Sequence, residues 1–86
     1  MSDTLGLLEE SRQLARELGY DVQEEPLGDL PGGPCRVGGH SRILLNIEHA
    51  PAEQLTVLVA ALAADPRVIH EPKSRLLAER LAQAGR

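Results

Sequence analysis

With no Phe or Trp and a single Tyr among 86 residues, the core has to be built from 15 Leu, 3 Ile, 5 Val and 10 Ala, and the aromatic platforms of base-stacking nucleic-acid modules are missing. The net charge of −4 is split unevenly, with eight acids and two bases in residues 1–30 and five acids and seven bases in residues 31–86, which argues against nucleic acid as a partner. One cysteine excludes an internal disulfide, and without a signal peptide or an apolar run of membrane length the chain reads as cytoplasmic, with no membrane association.

A chain this short is expected to form one domain, residues 1–86, that hides only about 60–65% of its unfolded surface. Ser2 or Asp3 can cap a first helix. In it Leu7, Ser11, Leu14, Ala15 and Leu18 follow the helical period, opposite a charged face of Glu9, Glu10, Arg12 and Glu17. Gly19 is placed to end this helix as the residue after its C-cap. Tyr20 to Glu25 alternates weakly as a short strand with Tyr20 and Val22 on one face, and Pro26 stops it. Pro26 to Pro34 holds three Pro and three Gly in nine positions, so it reads as a loop. No Lys-Ser/Thr follows it and no G-x-G-x-x-G opens a helix, so it is not read as a phosphate cradle.

Gly32 to Ala64 carries the clearest pattern in the chain. Ile43, Leu45 and Ile47 fall on one side of an extended segment, Leu44 and Asn46 on the other. Because Leu44 leaves the second face partly apolar, the strand is expected at the centre of a sheet, covered by helices on one face. Upstream, Cys35 and Val37 alternate, and Gly38-Gly39-His40 is short enough to be a hairpin loop. A three-residue loop would set Cys35 opposite Ile43 on the buried face.

Pro51 then opens a helix at a position that suits its fixed φ and missing N–H, with Glu53 in the first turn, where the helix dipole favours a carboxylate. Leu55, Leu58, Val59 and Leu62 repeat at i, i+3, i+4 and i+7 and are expected to face the sheet. Burying four such side chains contributes roughly 6–12 kcal/mol as an upper bound. The other face, Val57, Ala60, Ala61 and Ala64, is small and apolar where a surface helix would normally be charged. Asp65-Pro66 breaks the chain. Arg67 to His70 is a connector or a short edge strand carrying Val68 and Ile69. Pro72 opens a last helix whose buried stripe is Leu76, Leu77, Leu81 and Ala84, with Lys73, Arg75 and Arg80 outside, and Gly85 closes it. The order α-β-β-β-α-(β)-α predicts an α+β domain, a small antiparallel sheet of about three strands packed with three helices.

Few residues could carry chemistry. Cys35 and His40 are the nearest approach to a nucleophile and base, with Arg36 beside the thiol. Alternation along the hairpin sends the two to different faces, and a free Cys more often packs as a small hydrophobe. Glu48, His49 and Glu53 cluster at the strand-to-helix junction, with His70 elsewhere, and His and carboxylate are acceptable zinc ligands. Because His49 precedes Pro51, however, His49 and Glu53 are not a helical i, i+4 pair, and no H-x3-H or C-x2-C spacing supports a site. Arg36 and Arg42 can face outward, where a carboxylate or phosphate could meet them.

The succession LGYDVQEE, GGPCRVGG, RILLN, PAEQLTVLVAAL and PKSRLLAERL resembles a family of short uncharacterised bacterial proteins with a G-G-x-C-x-V-x-G, strand, P-x-E-Q helix pattern. The resemblance covers roughly residues 18 to 81 and implies no activity. A more distant similarity is to the core of ImmA/IrrE-type zinc metallopeptidases, in which a Leu- and Asn-rich strand leads into an H-E-x-x-H helix. Laid on Asn46 and Glu53, that motif would fall on Ala60, Ala61, Leu62, Ala63 and Ala64, none of which binds zinc or moves a proton.

The sequence therefore predicts a non-enzymatic interaction or regulatory module with no cofactor, self-associating as a homodimer or serving a small protein partner through Val57, Ala60, Ala61 and Ala64. The alternative is a thiol-dependent enzyme or regulator using Cys35 and His40.

Overall fold

The computed structural model describes residues 3–85. The first helix, α1, spans Thr4–Glu17. Asp3 is its N-cap residue but makes no side-chain cap bond, its carbonyl instead accepting from the Leu7 N–H at 2.9 Å. Ser2, the other capping candidate, lies outside the described residues. At the far end Gly19, at φ +94°, supplies the left-handed turn. Its N–H donates to the Arg16 carbonyl and that of Tyr20 to Ala15, the Schellman pattern that satisfies the last carbonyls.

Strand β1 is Asp21–Glu25, β2 is Gly32–Val37 and β3 is His40–Asn46. They form a sheet in the order β1-β3-β2, so the Leu-rich strand is central, as its two-sided apolar pattern implies. The sheet is mixed and not antiparallel throughout. β2 pairs antiparallel with β3, whereas β1 lies parallel to it with Val22 opposite Ile43. This arrangement follows from the route of the chain. After β1 it crosses the end of β3 and starts β2 on the far edge, so the first pair is not a hairpin.

The hairpin turn is two residues long, not three. Gly38 and Gly39 have φ +58° and +83°, positive at both central positions as a type I′ turn requires. Val37 then faces His40, Pro34 faces Ile43 and Cys35 faces Arg42. Shortening the loop by one residue turns Cys35 away from Ile43 and onto the open face, where it is half-buried.

Ile43 and Leu45 are fully buried on the helix-covered face. Ile47, expected beside them, lies one residue beyond β3 and is 55% exposed. Asn46, expected on the wetter face, is buried. Helix α2, Pro51–Ala63, lays Leu55, Leu58, Val59 and Leu62 against this core. Its N-terminus has no capping side chain. Instead Glu53 Oε1 accepts the Ala50 N–H at 3.2 Å, half of a capping box.

Pro66–His70 is a 3-10 helix and not an edge strand, with Val68 buried and Ile69 turned to solvent. The Asp65 side chain caps it by accepting the Arg67 N–H, a local bond that competes with an extended conformation. The last helix, α3, is Arg75–Ala84 and begins three residues after Pro72, because Ser74 is the cap, its Oγ accepting the Leu77 N–H. Gly85 is its C-cap. Only Leu77 and Leu81 of the expected stripe are buried; Leu76 and Ala84 are exposed. Among the described residues no helix is long and apolar enough to cross a membrane.

Candidate functional site

Gly32 and Gly33 begin β2, and the pairing places Gly32 on the helix-covered face with Leu45. Here β2 and α2 present only glycines, a proline and small side chains to one another. They leave an open groove of about 310 Å³ lined by Gly32, Pro34, Val57, Ala60, Ala61 and Ala64, together with Gly33 and Thr56. No ionisable residue lines it. Val57 is half-buried, Ala60 and Ala64 are exposed, and Ala61 is buried, so three of the four positions expected to form an interaction face reach solvent. The fourth belongs to the core.

Gly32 is fixed in kind by its surroundings. It sits at φ +84°, and a Cβ there would lie 2.4 Å from the Leu44 carbonyl oxygen. The loop before it is anchored at one side chain. Asn46 Nδ2 donates to the carbonyls of Gly28 (2.9 Å) and Leu30 (3.0 Å), and its Oδ1 accepts the N–H groups of Leu27 (3.3 Å) and Glu48 (3.0 Å). Both amide protons and both oxygen lone pairs are thereby used. Asn46 is the last residue of β3, and it pins the crossing from β1 to β2 where that loop passes.

On the open face a second groove, about 290 Å³, lies among Leu27, Leu30, Pro31, Cys35 and Leu44 beside the same glycines. The two-residue turn sets Cys35 and His40 on the same face, contrary to the expectation of opposite faces, one pair apart diagonally and roughly 7–8 Å between side-chain roots. No hydrogen bond joins them. Arg36 Nη2 donates to the Gly39 carbonyl at 3.3 Å and Arg42 Nε lies 3.5 Å from Asp21 Oδ2, so neither guanidinium is aimed at the thiol. His49 is half-buried and Glu53 is committed to the Ala50 N–H. Among the described residues no group of three or more His, Cys, Asp or Glu side chains is placed to hold a metal ion.

One polar cluster has no counterpart in the sequence reading. Tyr20 Oη donates to Asp65 Oδ2 at 2.9 Å. Arg67 donates to the same carboxylate from its backbone N–H (2.9 Å), from Nε (3.1 and 3.2 Å) and from Nη2 (2.7 Å). The Arg67 guanidinium also stands 5.9 Å from the Tyr20 ring centroid. The hydrogen bonds from Arg67 hold the Asp65 carboxyl well below the usual carboxylate range, and Asp65 in turn raises the Arg67 pKa. Burial, and next the bond to Asp65, push the Tyr20 phenol up. A carboxylate so fully occupied has no lone pair left for a substrate proton, and a phenol kept protonated is no base. The cluster clasps the end of α1 to the end of α2. Only the local half of it, an Asp before Pro two residues ahead of Arg, is visible in sequence; Tyr20 is 45 residues away.

Comparison with protein-family models, with curated proteins and with solved structures returns no match to this chain.

Proposed function

We propose that the chain is a non-enzymatic interaction module that docks a second copy of itself or a small partner subunit in the groove between β2 and α2. The observation that carries this reading is the uncharged lining of that groove on a chain with net charge −4. Two copies carry the same net charge, and in the groove they can meet without bringing like charges together. The exposed Ala60 and Ala64 methyls let another backbone come close, and covering them with Val57 removes apolar surface from water. Light scattering over a range of concentrations tests it. The wild-type chain is expected to gain mass with concentration and Ala60→Glu to remain a monomer. A wild-type monomer at every concentration, with no protein recovered on a column of the immobilised chain, sinks the reading.

A second reading, thiol chemistry at Cys35, is favoured by one observation: the hairpin register that brings His40 onto the same face. Its measure is the rate of alkylation of the native protein compared with His40→Ala. Equal rates remove His40 from any such role.

A further inference from the structure

We propose that α3 is a hinged cover over α1 and α2, able to open while the sheet, α1 and α2 stay folded, and that Glu10 is the latch that holds it shut. This goes beyond the docking groove and does not rest on it. Four observations carry the proposal. First, α3 touches α1 and α2 but no strand, and only Leu77 and Leu81 of its ten residues are buried. A segment with so few buried apolar contacts lies at the low end of local stability.

Second, its seam with α1 is poorly filled. An open cleft of about 290 Å³ separates Thr4 and Leu7 of α1 from Leu76 and Arg80 of α3, and a wider one of about 570 Å³ lies along α1 beside Pro72, in the connector that precedes α3. At Gly6 an added Cβ would meet nothing within 4 Å. Third, Glu71–Ser74, which joins α3 to the 3-10 helix, belongs to no helix or strand, so a swing of α3 breaks no regular backbone ladder there. Fourth, a single carboxylate closes the hinge end. Glu10 Oε2 accepts the Ser74 N–H at 2.7 Å and Oε1 accepts the Ser74 hydroxyl at 2.6 Å, charge-assisted bonds between residues 64 apart. Opening bares the apolar strip of α1 and α2 on which Leu77 and Leu81 rest.

Hydrogen exchange on the intact chain tests cover and latch separately. Amides of α3 beyond its first turn are expected to exchange on the order of tenfold or more faster than those of β3, with a shallower dependence on denaturant, as sub-global openings do. Tyr20→Phe weakens the clasp between Tyr20 and Asp65, which persists in the open form, and so should speed β3 several-fold while leaving α3 unchanged. Glu10→Ala should speed α3 by on the order of tenfold, since bonds to a charged group are lost while the Ser74 cap remains. Equal wild-type rates in α3 and β3, or a Tyr20→Phe effect shared by both, overturn the cover. An α3 rate unmoved by Glu10→Ala overturns the latch.

Discussion

At the scale of single residues, one glycine in the crossing from β1 to β2 and one at the start of β2 make a controlled comparison. Gly28 and Gly32 both have positive φ, yet a Cβ on Gly28 meets nothing within 4 Å while one on Gly32 runs into the Leu44 carbonyl oxygen. Gly28→Ala should therefore cost only the left-handed penalty, about 1–2 kcal/mol. Gly32→Ala adds an overpacking cost and should lose about 2–5 kcal/mol in urea unfolding; equal losses would mean β2 yields freely. Ser11 presents the opposite case. Its hydroxyl is fully buried in α1 and has no hydrogen-bond partner among the described residues, so the folded state carries a desolvation cost with no return. Ser11→Ala, which also suits a helix better, should raise stability by about 1 kcal/mol. A loss of stability would reveal a partner for that hydroxyl.

At the scale of elements, what was legible in the sequence is what local periodicity encodes. The α2 stripe of Leu55, Leu58, Val59 and Leu62, the central place of β3 and the stops at Gly19 and Gly85 all stand in the structure. Pairing is less local. Whether His40 belongs to the turn or to the strand changes the register of β2 by one residue and moves Cys35 from one face to the other. The parallel union of β1 with β3 leaves no mark in Asp21–Glu25, because parallel partners are chosen by the path of the connection. The candidate site divides in the same way. Its α2 half was legible as a small apolar face, whereas its β2 half is Gly32, Gly33 and Pro34, three residues that read as loop and carry no strand periodicity.

Helical phase now separates residues that looked equivalent on that face. Ala60 is exposed and Ala61 is buried. Ala60→Glu should change monomer stability by no more than about 0.5 kcal/mol, whereas Ala61→Glu drives a carboxylate into the core and should cost about 3 kcal/mol or more. Circular dichroism melts of the two variants check this, and similar melting points would place Ala61 at the surface.

At the scale of the whole molecule, the clasp of Tyr20, Asp65 and Arg67 sets how stability varies with pH, because it ties α1 to the end of α2 through groups that titrate at opposite ends of the range. Asp65 is more acidic in the folded chain than its unfolded value of about 3.9. The unfolded state therefore takes up the proton first, and the contribution of Asp65, complete above about pH 4, drains away as pH falls further toward its folded value. Tyr20 has the reverse sign. Its folded pKa is raised above 10.0, so its contribution is complete below pH 10.0 and is lost as pH climbs through the folded value. Asp65→Asn should lower stability at pH 7 and flatten the acid limb, so that the gap to wild type narrows below about pH 4. Tyr20→Phe should leave that limb largely in place and remove the tyrosine component of the alkaline one. As Tyr20 is the only tyrosine, its ultraviolet titration reads the phenol directly. In the native protein the midpoint should lie above that of the urea-unfolded chain, and in Asp65→Asn it should move back toward it. Coincident midpoints in the folded and unfolded chains would mean that the phenol is not held by Asp65 in solution.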